Sequence, residues 1–465
     1  MSTEPSVRQV HTVGIILVRC AKRRERRTIE TMENANELQS SVHRTELLVF
    51  FTLLQLTVIV LAARLFGNLS ARFGNSRVVG EIVAGLVLGP SLFGLLWPAG
   101  FAFVFRSTPT EPMTILSQIG LILLLFQIGL EFDFSHLRVS PSWRAVARIA
   151  LLGEVFPFML GFAFGQFSAP LIFPQGNALG YSLFCGTAFS ITALPVLGRI
   201  MLELGLHRTR LGAIVISAAA INDVVGWLLL AIVSALAVAQ FSAGRFTFQA
   251  ALVIVYVVAC WWLARPFLLR LIRRSGTLEA PLSLDLLGIL LAVAFVSGMI
   301  TYQIGIFAIF GGFMIGVLLH DQRELAAAWR SKVGSFVEVF FVPIFFTYTG
   351  LRTEIGLLGD WQMWGWCLLL VALATLGKFG GCYWAARWAG LDSAQARAVG
   401  VMMNTRGLME LIVINVGYDL GVLPRSVFTM LVIMALVSTV VTTPALRRWL
   451  RARAGEELNQ GDIAR

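Results

Sequence analysis

Apolar residues run along this chain in blocks of roughly 20, separated by short polar connections. A bilayer core takes about 20 mostly apolar residues per helix. By that measure there are thirteen candidate spans: 46–66, 78–97, 114–132, 145–166, 179–201, 211–238, 248–264, 282–303, 305–320, 334–351, 362–386, 395–417 and 424–446. The second and ninth are short and glycine-rich, and only a tight link at Tyr302–Gly305 divides the eighth from the ninth. The pattern predicts an all-α polytopic membrane protein of about 13 transmembrane helices. A basic, polar N-terminal tail (1–45) precedes a transmembrane domain (46–446), and a short basic tail (447–465) follows it.

Composition sharpens this reading. The 465 residues are 57% hydrophobic and only 14% charged, whereas soluble domains are about half apolar and a quarter charged. The five cysteines are scattered without a C-x-x-C pair, and four fall in apolar runs as small buried hydrophobes. The five histidines form no metal-binding spacing. With no nucleophile–base pair or metal cluster in the spans, neither an enzyme nor a cofactor is implied. The net charge of +11 sits mostly in short connections, so it sets membrane orientation rather than nucleic-acid binding. Odd-numbered connections carry about fifteen Arg or Lys against about four in the even-numbered ones, which puts the odd connections in the cytoplasm. The N-terminus is then outside and the C-terminus cytoplasmic, in the cytoplasmic membrane. One segment disagrees: "CAKRRERR" (Cys20–Arg27) belongs inside, and the apolar Val13–Val18 before it is too short to span. It reads as a tail, or as a segment preceding a true start at Met32.

Two pairs of segments repeat seven spans apart. "AGLVLG" (Ala84–Gly89) matches "GGFMIG" (Gly311–Gly316), and "FQIGLEFD" (Phe126–Asp133) matches "TYTGLRTE" (Thr347–Glu354). Seven is odd, so the second copy is inverted. Inverted repeats mark secondary transporters, with the substrate site at the midplane between the copies; helix packing through glycine is the simpler reading of the same spacing.

Several charges fall inside spans, where each costs on the order of 2.5–3.5 kcal/mol at a helix centre and is normally functional or paired. They are Glu154, Asp223, Lys378, Arg406 and Glu410. Arg406 and Glu410, four apart, share a helix face and read equally as a structural pair or as transport residues. Glu154 reads as a group that orients either Lys378 or a broken helix. Asp223, whose only polar neighbour in sequence is Asn222, is different. Loss of hydration disfavours the charged form of a lone carboxyl, so such a group can hold a proton or release it to a cation. Competition of proton and cation for one place is the minimal chemistry of an exchanger.

Two spans have unusual centres. The fifth places Ser190, Thr192 and Pro195 at mid-membrane, and the twelfth places Asn404, Thr405 and Gly407 there. Proline removes a helix hydrogen bond, and irregular backbone at that depth survives only against protein or a wet cavity. A pair of interrupted helices at matching positions points to a transporter site, whose freed carbonyls could ligate a monovalent cation; a simple kink at Pro195 is the alternative.

"GEIVAGLVLGPSLFG" (Gly80–Gly94), "GLILLLFQIGLEFD" (Gly120–Asp133), Asn222–Asp223, "FVPIFFTYTGLRTEI" (Phe341–Ile355), "GKFGG" (Gly377–Gly381) and "MMNTRGLMELIVINVG" (Met402–Gly417) together resemble the monovalent cation:proton antiporter-2 family. Its members include bacterial sodium/proton antiporters, Kef-type potassium efflux systems and plant cation/proton exchangers. The resemblance covers about residues 46–446. It implies a 13-helix inverted-repeat fold with two crossed discontinuous helices, here spans 5 and 12, in a core that moves against a dimerisation domain. It also implies a homodimer, an ion-binding aspartate at Asp223, a core lysine at Lys378 and a broken-helix threonine at Thr192. Electrogenic relatives have two adjacent aspartates, the first paired with the lysine; here Asn222 takes that first place, which favours electroneutral exchange. The nucleotide-binding domain of Kef-type relatives has no counterpart motif here.

The expected function is therefore proton-coupled antiport of a monovalent cation by alternating access. The expected partners are H+, one of Na+, K+ and Li+ at Asp223, and the lipid bilayer. A channel-like or regulated potassium efflux protein, a proton-driven exporter of an organic cation and a sodium-coupled symporter are the rivals.

Overall fold

The computed structural model describes residues 43–106, 110–131, 143–204, 206, 209–238, 243–274 and 283–463. The expected N-terminal tail therefore lies, up to residue 42, outside the described residues. All regular structure among the described residues is helical. In chain order the principal helices are α1 (His43–Arg72), α2 (Arg77–Leu88), α3 (Glu111–Leu130), α4 (Trp143–Ile172), α5 (Ala178–Ser190), α6 (Leu194–Glu203), α7 (Arg210–Val238) and α8 (Gly244–Arg274). They continue with α9 (Leu284–Ile304), α10 (Ala308–Leu318), α11 (Val342–Arg352), α12 (Trp361–Trp388), α13 (Ser393–Met403), α14 (Leu408–Asp419) and α15 (Arg425–Trp449).

Local chemistry sets several ends. Asn177 accepts a hydrogen bond from Gly180 N at 2.8 Å to start α5. Asp392 and Gln395 form a reciprocal capping box at the start of α13. Gly305 (φ 90°) ends α9 in the left-handed conformation that glycine adopts without penalty, so the expected link at Tyr302–Gly305 does separate two helices.

Nine described helices are long and apolar enough to cross a membrane, or eleven when the two strongly bent pairs each count as one span. The expected thirteen is not reached by that measure, for a geometrical reason. α10 has 11 residues, about 16 Å of helix at 1.5 Å per residue against a core of about 30 Å. The expected fifth span is divided between α5 and α6, neither long enough alone. At the C-terminal end, the basic tail expected from residue 447 continues α15 as helix to Ile463.

The helices pack in two groups. α2 packs on α11, α3 on α10 and α11, and α9 on α10. α4 packs on α5, α7 and α12, and α12 on α13 and α15. Within the first group the contacts follow the repeat. Gly85 of α2 and Gly89 at its C-terminal cap lie against α11, where a Cβ would stand 2.4 Å from the carbonyl oxygens of Phe346 and Gly350. Gly312 and Gly316 of α10 lie against α3, where a Cβ would stand 2.4 Å from Ile122 O and 2.2 Å from Phe126 O. Matching glycines thus meet the opposite copy's helix, the pairing a two-fold relation between copies requires. Gly316→Val is expected to push α3 and α10 apart, cost on the order of 1–3 kcal/mol and lower the thermal unfolding midpoint in detergent; a melting curve superimposable on that of the parent would contradict this packing account.

Candidate functional site

The site is built where two expected spans break. α5 and α6 are separated by Ile191–Ala193, and α13 and α14 by Asn404–Gly407, with a bend of 45° between the latter pair. The breaks meet. Ala193 N donates to Thr405 O at 3.0 Å, and Thr192 Oγ1 donates to Met403 O at 3.2 Å. Each break satisfies backbone groups of the other, as irregular chain at membrane depth requires. Pro195 does not kink a continuous helix. It is the second residue of α6, where its missing N–H breaks no helical bond, and the chain leaves helix before it.

The C-terminal end of α5 leaves carbonyls without helical partners, and two buried cations take them. Arg406 Nη1 donates to Ala188 O at 2.7 Å and its Nη2 to Phe189 O at 2.9 Å. Lys378 Nζ donates to Ser190 O and to Gly153 O at 2.6 Å. Cations are favoured there because the last carbonyls carry the negative end of the helix dipole. Arg406 also pairs with Glu410 at 3.2 Å, both fully buried. The i,i+4 pair read from the sequence therefore exists, and Arg406 in addition caps a broken helix from another part of the chain. Glu154 Oε2 lies 3.8 Å from Lys378 Nζ, and that lysine itself reaches the end of α5. Glu154 and Lys378 each follow a glycine, Gly153 of α4 and Gly377 of α12.

Asn222 completes the lysine's surroundings. With its amide oriented so that the oxygen faces Lys378 Nζ at 3.2 Å, its nitrogen donates to Ala150 O at 3.0 Å. Asp223 is different. It is 1% exposed, and neither carboxylate oxygen has a hydrogen-bond partner among the described residues. Gly226, one turn further and on the same face of α7, lies against the first break, where a Cβ would stand 3.1 Å from Ile191. Two hydroxyls at the breaks are engaged within their own segments: Ser190 Oγ donates to Thr187 O at 3.0 Å and Thr405 Oγ1 to Met402 O at 2.7 Å. Asn404 Oδ1, like Asp223, is buried without a partner among the described residues. Gly407, in the second break, lies close to Val196 of α6.

The structure thus brings Thr192, Ser190, Lys378, Glu154, Asn222, Arg406, Glu410 and Thr405 into one network of contacts around the crossing, and Asp223 lies beside it on α7. The carbonyls of Gly153, Ala188 and Phe189, and Thr439, whose hydroxyl donates to Arg406 O at 2.6 Å, were not legible in sequence. Backbone acceptors leave no residue-type signal, and Thr439 sits in an ordinary apolar run.

Chemically, the arrangement holds two fixed cations against helix carbonyls and leaves a carboxylate buried with free oxygens. That is an arrangement suited to a small cation or a proton. The family model described as sodium/hydrogen exchanger, transmembrane, matches residues 56–452. The chain belongs to the sodium/hydrogen exchanger family. Within it, the chain is 40% identical over 394 residues to the Na(+)/H(+) antiporter NhaS4 of Synechocystis, covering 84% of this chain and 95% of that protein. It is 35% identical to Cation/H(+) antiporter 18 of Arabidopsis thaliana and 29% identical to K(+)/H(+) antiporter 1 of Saccharomyces cerevisiae. Those matches cover 85% and 84% of this chain but 48% and 45% of the plant and yeast proteins, so the chain spans about half their length. Among solved structures, the sodium proton antiporter MjNhaP1 of Methanocaldococcus jannaschii shares the fold, with a TM-score of 0.60 over 85% of this chain and 95% of that one at 13% identity. A sodium/hydrogen exchanger fold of this kind is that of a multi-pass membrane transporter.

Proposed function

We propose that this sodium/hydrogen exchanger homologue is a proton-coupled antiporter of a monovalent cation, Na+ or K+, with Asp223 as the shared seat of proton and cation. The observation that carries the reading is the pair of buried, partnerless carboxylate oxygens on Asp223, next to an Asn222 already engaged with Lys378. The names of its relatives, sodium/proton and potassium/proton antiporters, support the same class. In this reading residues 46–446 form the transport domain of a homodimer in the cytoplasmic membrane. α4–α7 and α12–α15 move as a unit past the remaining helices, exposing Asp223 to each side in turn. The C-terminal end faces the cytoplasm.

Neutral, Asp223 carries a proton across; ionised, it offers a cation oxygen ligands and a compensating charge in place of the hydration the cation lost. With one titrating carboxyl per crossing the exchange is one for one. A gradient of one pH unit then supplies about 1.4 kcal/mol per proton, enough to sustain about a tenfold cation gradient. Reconstituted protein with an internal pH-sensitive dye tests this: addition of Na+ or K+ should move protons the other way, at a rate indifferent to a clamped membrane potential. Cation flux without proton movement would rule out the exchanger reading.

Asn222→Asp gives a second expected result. It sets a second carboxyl against Lys378, and turnover should become sensitive to the clamped potential while exchange persists. Continued indifference would remove the one-carboxylate account of electroneutrality.

A further inference from the structure

At the end of α11 and α14 that the charge distribution puts outside, the two helix groups are tied by a compact polar cluster. Arg352, the last residue of α11, pairs with Asp419 at the end of α14 at 2.6 Å. The same guanidinium nitrogen donates to Asn415 Oδ1 at 3.1 Å. Asn415 Nδ2 in turn donates to Thr349 Oγ1 of α11 at 2.8 Å. The guanidinium lies over the Tyr348 ring at 4.0 Å and near the Tyr418 ring at 5.2 Å, and Arg425 of α15 reaches back to Glu354 at 3.2 Å. Beneath this cluster lies a cavity of about 10 Å³, lined by Ser117 and Gln118 of α3, Tyr348 of α11, and Asn415 and Asp419 of α14. That is about the room of one water. Ser117, 1% exposed, has a hydroxyl without a partner there.

Ile412, Asn415, Val416 and Asp419 are spaced as one face of α14 and all line this cavity. The face runs from the outer mouth back towards the first turn of α14, which carries Glu410 beside the second break. The cavity thus lies between α14 and the helices α3 and α11. Two of its lining residues, Asp419 and Asn415, bind the tethered cation of Arg352, whose ligands are a carboxylate oxygen, an amide oxygen and two aromatic faces. Those are ligand types a partly dehydrated monovalent cation also accepts.

We propose that Arg352 is the outer gate of this exchanger, and that Asp419 and Asn415, once the guanidinium leaves, are the oxygen donors a monovalent cation meets on its way to or from Asp223. The inference rests on the exchanger reading for the cation's passage. The gate itself can be tested without transport.

Ser117→Cys places a thiol in the cavity at the cost of one atom exchange, and the described native cysteines are buried. In membranes without ion gradients, a membrane-impermeant thiol reagent should label this cysteine slowly above the background of the parent protein. Adding Arg352→Gln or, independently, Asp419→Asn removes the charge-assisted bonds and should raise labelling about tenfold or more. NaCl or KCl should then slow labelling in the Arg352→Gln protein, relative to N-methylglucamine chloride at equal ionic strength, but not in the Asp419→Asn protein. Slow labelling in both variants overturns the gate. Fast labelling that no alkali cation slows in Arg352→Gln overturns the donor role of Asp419 and Asn415. Loss of exchange in the unmutated protein would instead strike the exchanger reading and leave the labelling result standing.

Discussion

Asp223→Asn is expected to reduce cation/proton exchange to the level of protein-free liposomes while the protein still inserts and purifies as the parent does. The substitution keeps the shape of the side chain and removes only its charge and its exchangeable proton. Both carboxylate oxygens lie buried without partners, so the amide breaks no described hydrogen bond and no loss of fold follows. What is lost is the ability to be neutral with a proton and negative with a cation. Dye-monitored exchange and size-exclusion behaviour together check the result. Exchange at the parent's rate with Asn at 223 would move the seat of coupling elsewhere, with Glu154 and Lys378 the next groups to change.

Arg406→Gln is expected to be the most destabilising single change in the membrane core. It removes two bonds to the end of α5 and the partner of Glu410 in one step. Glu410 is then a fully buried acid facing unpaired carbonyls. Breaking a buried pair from one side costs about 3–5 kcal/mol, which corresponds to a fall of roughly 10 °C in the unfolding midpoint. Arg406→Gln combined with Glu410→Gln should recover part of that loss, because the orphaned charge is gone while the α5 carbonyls keep only an amide donor. Thermal melts of the single and double variants decide the matter. If the double variant melted no higher than the single one, the cap on α5, and not the pair with Glu410, would be the whole of Arg406's contribution.

These two residues show how differently the site reads from sequence. Asp223 is legible because an isolated acid in an apolar run has few explanations. Arg406 is only half legible. Its spacing to Glu410 announces a pair on one helix face, and nothing near it in sequence announces that its guanidinium serves carbonyls more than two hundred residues away. Lys378 is similar: a lysine in "TLGKFGGC" must find partners, and those partners prove to be the Gly153 and Ser190 carbonyls, Glu154 and Asn222. Pro195 is legible as a disturbance, read as a broken helix with a simple kink as the alternative, because a proline at a helix start and a proline inside a helix look the same until the chain before it is seen to be extended.

The cluster at Arg352 marks a further limit. From sequence its charges belong to connections and are weighed only for orientation. In space Arg352 and Asp419 pair across two helix groups. A residue at the end of an apolar run is read as exposed because the next residues are polar, yet the neighbouring helix decides whether the end is wet.

The sequence by itself determines that this chain lies in a bilayer and where acids and bases fall within its spans, and it points to two disturbed spans and to a repeat between the halves. Each follows from local cost: apolar length, the penalty on a charge, and the missing hydrogen bond of proline are properties of a residue and its near neighbours. Only the tertiary structure decides that the breaks cross and satisfy one another, that matching glycines meet opposite copies, that Asn222 rather than Asp223 faces Lys378, and that Arg352 joins the ends of α11 and α14. Those are pairings between segments far apart in the chain, made through backbone carbonyls and through a two-fold relation that has no expression in any single stretch.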